Sequence, residues 1–378
     1  MKDSSRHSVT GHRPNEAVPI PSLGARAVWR RLLRLAREYP VVKASGRFDP
    51  DYYVSQLRRI GFRRHLPLVH YLWSGERKGG RPFPDFSPLV YLAQHEEIID
   101  ANVSPLYHFI TARGKPAIPA RTTSPVDFEA KLAAIVAGRV DTARRPLAIH
   151  IHIFYYHLVA EMFELLDRLD VAADLFFTIV EKPGFDAIAA RIRARWPDGV
   201  VLASPNHGRD IYPFIALVNA GAFDRYALVG RIHTKKSVHR RDGDQWRRHL
   251  MTDILKNDGR VARIVARFAA DPSCGIVVAD GQYLTDERWW GKSRARVGAL
   301  CARIGITADD YPLGFPAGSM YWVRPSILAA FRRMQLAAAD FEAESGQVDD
   351  TTAHAVERAM GTVARALGLT VVEVKDVI

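Results

Sequence analysis

The stretch YALVGRIHTKK, residues 226–236, is mostly apolar as far as Ile232 and then turns basic. Its first part has the composition of a buried β-strand. In α/β folds, ligands bind at the carboxyl ends of strands. The cations His233, Lys235 and Lys236 at such an end would suit a diphosphate. Most charge runs are only solvated loops, but these cations follow a strand and not a surface helix, which favours an anion site.

Similar strand-like runs lie on both sides of this stretch: LAIHIHIF (147–154), DLFFTIV (174–180), GVVLAS (199–204), GIVVAD (275–280), SMYWVRP (319–325) and TVVEVKDV (370–377). Helical stretches separate most of them, at residues 158–169, 185–195, 244–270 and 294–304. This alternation predicts an α/β domain over residues 146–378, with a mostly parallel sheet covered by helices. The sequence contains no GxxxxGK[ST] loop, no GxGxxG after the first strand, no HExxH and no GxSxG.

The composition indicates a globular protein with an acidic partner. The 378 residues are 48% hydrophobic and 25% charged, with a formal net charge of +12. Such a basic excess suits nucleic acid, an anionic membrane or a phosphorylated substrate. The two cysteines, Cys274 and Cys301, exclude a disulfide framework and a cysteine-based zinc site, and they fit a reducing cytoplasm. There is no secretory signal and no membrane-spanning run, so we expect a cytoplasmic protein, with peripheral contact to the inner face of the plasma membrane left open.

Residues 1–45 are predicted to be a disordered basic tail followed by an amphipathic helix. The tail lacks hydrophobic periodicity and is rich in polar residues and proline. The helical stretch RAVWRRLLRLAREY, residues 26–39, places Leu32 and Leu33 among five arginines. Two interpretations stay open at this point: the helix lies on an anionic membrane surface, or it packs on the next domain.

An internal repeat occupies residues 46–118, and a linker with one helix is expected at residues 119–145. The two copies are related by a shift of 38 positions, and each reads as a helical hairpin. The matched pairs are Tyr53 and Tyr91, Gln56 and Gln94, Pro67 and Pro105, and His70 and His108. The repeated histidine could be a metal ligand, but a structural histidine bonded to its neighbour unit is the more common case. The repeat therefore predicts a small α-helical module.

The segment SPNHGRDIYPF, residues 204–214, joins a predicted strand to a helix through a glycine turn at Gly208. Asn206 and Asp210 could hydrogen-bond a sugar or base, and Arg209 could pair with a phosphate. The alternative is ordinary turn chemistry and an N-cap. A second acidic segment, Asp242-Gly243-Asp244, has the spacing of a metal-holding motif, but it begins nine positions beyond the strand end at His233, so we interpret Asp244 as an N-cap.

Two more segments carry candidate groups. GFPAGSMYWVRP, residues 314–325, places Gly318 and Ser319 before a strand, where small residues let a ligand approach the backbone. VDDTTAHAVER, residues 348–358, puts Asp349 or Asp350 at a helix N-terminus, where a carboxylate could act as general base or simply cap the helix. The same helix carries His354, Glu357 and Arg358, which we count with Gly208, Gly318 and Ser319 as candidates for binding a nucleotide sugar or its diphosphate. Candidates for stacking on a sugar ring are Trp289, Trp290 and Trp322.

Taken together, HIHIFY, NHGRDIYPF, RIHTKKS, FPAGSMYWVRP and VDDTTAHAVER resemble, in order and spacing, the rhamnan synthesis F family of presumed bacterial polysaccharide glycosyltransferases. The resemblance covers about residues 146–378. The repeat region is similar to a short module found beside glycosyltransferase domains. The resemblance implies a variant of the GT-A glycosyltransferase fold, with the NHGRD segment near the nucleotide and HTKK in place of an Asp-x-Asp metal motif. The family usually shows Asp-Gly-Thr where this chain has Asp349-Asp350-Thr351, which leaves the choice between the two aspartates open.

The resemblance thus implies an inverting glycosyltransferase of cell-envelope synthesis. Its donor would be a nucleotide sugar, dTDP-L-rhamnose by family analogy, and its acceptor a cell-surface polysaccharide or lipid-linked glycan. Asp349 would take the acceptor proton, while His233, Lys235, Lys236 and Arg209 would stabilise the leaving diphosphate. No cofactor is certain, and Mg²⁺ or Mn²⁺ remains the alternative to these cations. The rival interpretation is a non-catalytic basic module that binds an anionic glycan or nucleic acid. Nucleic acid is disfavoured because the cations do not line one aromatic-interleaved face.

Overall fold

The structure is a computed structural model and describes residues 25–57, 66–95, 97–112, 123–138, 146–234, 243–347 and 349–377. The predicted tail up to residue 24, the segment 235–242 with Lys235 and Lys236, and the repeat's Gly114 lie outside the described residues.

A seven-stranded sheet forms the centre of the larger part of the chain. The strands are β1 Leu147–Ile153, β2 Ala173–Val180, β3 Val200–Ser204, β4 Leu228–His233, β5 Cys274–Val278, β6 Tyr283–Leu284, β7 Phe315–Pro316, β8 Tyr321–Val323 and β9 Thr370–Glu373. The sheet order is β3-β2-β1-β4-β8-β5-β9, and β6 and β7 form a separate two-stranded ribbon. Only β8 runs antiparallel to its neighbours in the sheet, so the α/β prediction of a mostly parallel sheet is confirmed.

Helices cover both faces of the sheet and also form the N-terminal region. They are α1 Ala25–Ala44, α2 Pro50–Ser55, α3 Pro67–His70, α4 Pro88–Gln94, α5 Glu97–Asp100, α6 Pro105–Thr111, α7 Pro125–Gly138, α8 Val159–Asp167, α9 Phe185–Arg195, α10 Ile211–Asn219, α11 Gly243–Leu255, α12 Arg260–Ala270, α13 Arg294–Ala302, α14 Pro325–Arg333 and α15 Thr352–Ala366. The predicted helical stretch 244–270 is thus two helices. They are separated at Gly259, whose φ of 77° favours glycine.

The core has one apolar layer on each face of the sheet. Side chains alternate between faces along a strand, and on β4 Val229 belongs to one layer while Leu228 and Ile232 belong to the other. The first layer is closed by α7, α10, α13, α14 and α15, and the second by α8, α9, α11 and α12. Helix α7, expected within a linker, packs Phe128 and Leu132 into the first layer. Burial on both faces explains why the strands read as continuous apolar runs.

The N-terminal repeats form a small helical module with its own apolar cluster. The hydroxyl of Tyr53 is 2.7 Å from Nδ1 of His70, and the hydroxyl of Tyr91 is 2.9 Å from Nδ1 of His108. The two equivalent bonds give the repeated histidines a structural role. In each of these bonds the histidine pairs with the tyrosine of its own copy.

Candidate functional site

Arg231, near the end of β4, lies at the centre of the carboxyl edge of the sheet. Its guanidinium is buried and bonds the carboxylate of Asp210 at 2.9 Å and the carbonyl of Asp210 at 2.7 Å. It also donates to the carbonyl of Ser319 at 3.0 Å and lies over the ring of Phe214. A buried charge is stable only when it is paired and hydrogen-bonded. Arg231 therefore connects β4 to two loop segments, the NHGRD turn (residues 206–210) and the AGS segment (residues 317–319).

His233 is the last residue of β4, and Thr234 follows it directly. The Nε2–H of His233 donates to the carbonyl of Gly318 at 2.8 Å, and the same nitrogen is 3.7 Å from the carboxylate of Asp210. The hydroxyl of Thr234 accepts the backbone N–H groups of Phe154 and Tyr155 at 2.8 and 2.9 Å. These bonds fix the ends of β4 and β1 side by side. His233 thus uses one ring nitrogen to hold the AGS segment, a role that the sequence did not predict.

The AGS segment is held in turn by Glu357 of α15. One carboxylate oxygen, Oε1, accepts the backbone N–H of Gly318 at 2.9 Å and the hydroxyl of Ser319 at 3.2 Å. Burial, outweighing the nearby cation of Arg358, raises the pKa of Glu357 above its ordinary value. Gly318 has a φ of 82°, and a Cβ there would lie 2.6 Å from Leu250. The glycine is therefore required by both its conformation and its packing.

The turn around residues 204–214 places its polar groups differently from the prediction. The side chain of Asp210 does not cap α10 but pairs with Arg231. Arg209 has a φ of 60°; its backbone N–H donates to Glu344 at 2.9 Å and its guanidinium donates to the carbonyl of Gln347. The predicted phosphate partner thus braces the loop that precedes Asp349. Asn206 is exposed at the sheet edge, where it can reach a ligand.

Asp349 lies where the segment before α15 meets the segment after Trp290. Its carboxylate accepts the backbone N–H of Lys292 at 3.2 Å and the hydroxyl of Ser293 at 3.4 Å, and it is 3.3 Å from the Arg358 guanidinium. Burial alone would raise the pKa of Asp349, but backbone hydrogen bonds and the charge of Arg358 together lower it. The carboxylate is therefore ionised at neutral pH and remains 30% exposed.

Asp350 and Thr351 have distinct roles. Asp350 has a φ of 65°, and its carboxylate accepts from Arg296 at 3.1 Å on the surface. The N-cap of α15 is Thr351, whose hydroxyl accepts the N–H of His354 and lies 2.7 Å from Nδ1 of the same residue. The alternative of a double aspartate cap is therefore wrong, and both aspartates precede the cap.

Arg358 connects the N-terminal end of α15 to the segment at residues 287–293. Its guanidinium donates to the carbonyl of Trp289 at 2.8 Å and to the carbonyl of His354 at 3.1 Å. Gly291, with a φ of 55°, lies so close to Asp349 that a Cβ would be 2.2 Å from the carboxylate. Arg358 thus positions the acidic group of Asp349.

The three tryptophans that were candidates for stacking on a sugar differ in their exposure. Trp322 is fully buried, with its indole N–H on the carbonyl of Ile254, and Trp290 is also part of the core. Neither ring is available to stack on a sugar, whereas Trp289 is 40% exposed and keeps that role open.

Helix α11 begins at Gly243, so Asp244 lies inside the first turn and is not its N-cap.

A buried histidine pair lies behind the site on β1. His150 Nε2 and His152 Nδ1 both hydrogen-bond the hydroxyl of Thr178, at 2.9 and 3.0 Å. His150 stacks on Phe214, the ring that also lies against Arg231. Burial, reinforced by the charge of Arg231, lowers the pKa of His150 well below 6.5. His150 is thus a neutral polar group that lies close to the charged Arg231.

The helical module reaches the same region of the chain. Arg81 and the hydroxyl of Ser87 both donate to the carbonyl of Ser345, at 3.0 and 3.1 Å. Ser345 belongs to the loop that Arg209 braces from the other side. The repeat module and the NHGRD turn therefore both hold the segment leading to Asp349.

The described residues thus bring together Asp210, His233, Gly318, Ser319 and Glu357 in one bonded cluster. Asp349, His354 and Arg358 form a second cluster at the start of α15, Asp350 lies beside it, and Glu357, one helical turn from His354, connects the two. Within the described parts of the chain, no group of three or more His, Cys, Asp or Glu is arranged to hold a metal ion. Arg231 was not among the predicted site residues, although an arginine inside an apolar strand signals a buried acidic partner.

The fold defines the chain as an α/β protein with a mostly parallel sheet, and polar segments are gathered at the carboxyl edge of that sheet. Comparison with known families then assigns the chain: the model of rhamnan synthesis protein F matches residues 125–368, more than half of the sequence, and the chain belongs to this family. Its membership associates the chain with polysaccharide synthesis. The chain is also 32% identical over 231 residues to the uncharacterized protein WxcX of Xanthomonas campestris pv. campestris, in two strains. The match covers 58% of this chain and about a third (33%) of WxcX.

Proposed function

We propose that the chain is an inverting glycosyltransferase. It moves a sugar, rhamnose from dTDP-L-rhamnose, to a cell-surface polysaccharide or lipid-linked glycan. The observation that carries the proposal is the Arg231-centred junction of the NHGRD turn, strand β4 and the AGS segment at the carboxyl edge of the sheet. Family membership in rhamnan synthesis supports the substrate class. The mostly parallel sheet with one antiparallel strand is compatible with a GT-A arrangement, which is part of the proposal.

The proposed chemistry is a single displacement at the anomeric carbon. The acceptor oxygen forms the new bond, the bond to the nucleotide diphosphate breaks on the opposite side, and Asp349 takes the acceptor proton. An ionised, partly exposed carboxylate held by Lys292 and Ser293 suits this step because its position is already set. Its lowered pKa keeps it unprotonated and ready, at the cost of base strength.

Lys235 and Lys236 neutralise the leaving diphosphate in this proposal. In the sequence they come directly after Thr234, and the hydroxyl of Thr234 joins the ends of β1 and β4 at the edge where Asn206 and the AGS segment lie. In this proposal the hydrogen-bonded side chains of Arg231, His233 and Glu357 lie beneath the ligand and support it. The exposed Trp289 is the candidate for stacking on the sugar. Mg²⁺ or Mn²⁺ is the alternative source of positive charge, and no step here is routed through a metal.

The proposal is tested by measuring sugar transfer directly. Purified chain is incubated with dTDP-L-rhamnose and a membrane fraction carrying lipid-linked glycans, and release of dTDP and labelling of the glycan are both measured. The proposal expects both products in equal amounts. Glycan or nucleic-acid binding that weakens steeply with salt, without any nucleotide-sugar turnover, would instead favour the non-catalytic binding module.

A further inference from the structure

Helix α1 buries two charged side chains and exposes three large apolar side chains. Arg34 and Glu38 are 8% and 0% exposed, whereas Trp29 and Leu33 are each 63% exposed and Leu32 is 45% exposed. A helix packed on a protein core normally shows the opposite arrangement. The outer face of α1 is therefore not explained by the fold of the described chain.

The inward face is fixed by a buried ionic network. Arg34 donates to the carboxylate of Glu76 at 2.7 Å and is 3.6 Å from Glu38. Ser104 joins both acids: its hydroxyl donates to Glu76 at 2.6 Å and its N–H donates to Glu38 at 3.3 Å. Glu76 and Ser104 belong to the first and second repeat copies, so α1 is anchored to both. The prediction that this helix packs on the next domain is thus right for one face, and the anchor also fixes which face points outward.

The outward face forms a continuous apolar stripe. Trp29, Leu33, Ala36 and Pro40 lie at positions i, i+4, i+7 and i+11 of the helix, which places them on one side. Together with Val69 they line an open apolar groove of about 530 Å³. A contiguous exposed patch of this kind marks an interaction surface more often than a single exposed side chain does.

The charges around the stripe determine which occupant fits. Arg30, Arg37 and Lys43 are exposed on α1, and the only acidic residue of α1 is Glu38, which is fully buried. A stripe of tryptophan and leucine flanked solely by exposed cations matches the interface of an anionic bilayer, where apolar side chains enter the acyl boundary and cations meet lipid phosphates. None of the described helices is long and apolar enough to span a membrane.

We propose that the outer face of α1 docks the protein on the surface of an anionic lipid bilayer. The helix lies in the plane of the interface, with Trp29, Leu32 and Leu33 inserted and Arg30 and Lys43 on the lipid phosphates. The repeat module serves as the rigid base that presents this face. The proposal stands independently of glycosyl transfer, because it rests on residues far along the chain from the sheet edge.

Flotation of the full chain with lipid vesicles tests the proposal. We expect binding to vesicles of phosphatidylcholine mixed with phosphatidylglycerol, and much weaker binding to phosphatidylcholine alone. Leu33→Glu should lower the affinity at least about tenfold, because it removes one buried leucine side chain from the interface. Arg30→Gln with Lys43→Gln should lower it about fivefold per charge and reduce the salt dependence.

The controls use exposed residues outside α1. Val126→Glu changes an apolar side chain that is 75% exposed on α7 and should leave vesicle binding unchanged. Lys131→Gln with Lys256→Gln removes the same two charges elsewhere. Unchanged melting temperatures would show that all four variants are folded. The proposal is overturned if the wild-type chain fails to float with the mixed vesicles, or if Leu33→Glu floats like the wild type. It is equally overturned if Leu33→Glu only converts an oligomer to a monomer, since the stripe would then bind protein.

Discussion

Arg231 of β4 and Asp210, just before α10, form a buried ion pair with 2.9 Å between Nη2 and Oδ2. The two side chains are 1% and 7% exposed, so neither charge is solvated. The same guanidinium holds the carbonyl of Ser319 from the segment before β8. Strand β4 and two loop segments that are far apart in sequence thus depend on one charge pair, and the geometry of the sheet edge depends on it as well.

Removing one partner of this pair should destabilise the protein more than removing both. Asp210→Leu leaves the Arg231 guanidinium buried without its counterion, and we expect a loss of about 3–5 kcal/mol in the free energy of unfolding. Asp210→Leu combined with Arg231→Met should lose less than the sum of the two single changes. Urea denaturation of the four proteins measures the coupling. Additive losses would contradict a direct interaction.

Glu357 should matter as an acceptor for the AGS segment. Glu357→Ala leaves the Gly318 N–H without this acceptor in a partly buried place and should cost about 1–3 kcal/mol. Glu357→Gln retains a carbonyl oxygen that can accept the same hydrogen bonds. Because the raised pKa shows that burial disfavours the charged carboxylate, removing the charge should cost little, and we expect a smaller loss of stability. Thermal and urea unfolding compare the two variants. Equal losses would mean that the charge, and not the hydrogen bonds, is what α15 contributes.

Stability should fall with acidification because of His150. Its pKa in the folded protein lies well below 6.5, so the unfolded chain takes up a proton that the folded chain does not. The contribution of His150 to the free energy of unfolding is present above the pKa that this residue has in the unfolded chain. It is lost as the pH falls below that pKa, by up to about 1.4 kcal/mol per pH unit. His150→Gln should flatten the dependence between about pH 7.5 and about pH 5.5. An unchanged slope in urea titrations would assign the effect to other groups.

Asp349 and Asp350 offer a matched pair of substitutions. Asp349→Asn should lower the transfer rate about a hundred- to ten-thousandfold while nucleotide-sugar binding is retained, because a general base acts only in the chemical step. Asp350→Asn changes a side chain bonded to the surface residue Arg296 and should stay within a few-fold of wild type. Steady-state kinetics with both variants, alongside their melting temperatures, decides the assignment. A larger loss in Asp350→Asn would make Asp350 the base.

The sequence predicted every strand of the large sheet but not the direction of β8. Apolar runs such as those of β1 and β4 identify buried strands, whereas strand direction depends on how the preceding segment crosses the sheet. The candidate segments were found because they follow strand ends. Arg231 was missed because it lies within a strand, and its need for Asp210 becomes visible only when the two loops meet. The sequence left capping of α15 by the aspartates open, because which of three adjacent capping residues bonds the helix depends on backbone angles.

The most direct test of the central claim is a thermal-shift panel of dTDP-, UDP- and GDP-sugars with and without EDTA. A ligand that binds the folded state raises the melting temperature by mass action. We predict a shift with dTDP-L-rhamnose that survives EDTA and disappears in Lys235→Ala/Lys236→Ala, while the charge-matched control Lys131→Ala/Lys256→Ala retains it. A shift that requires Mg²⁺ or Mn²⁺ would contradict the role given to the two lysines. The absence of a shift with every nucleotide sugar would contradict the proposed donor site.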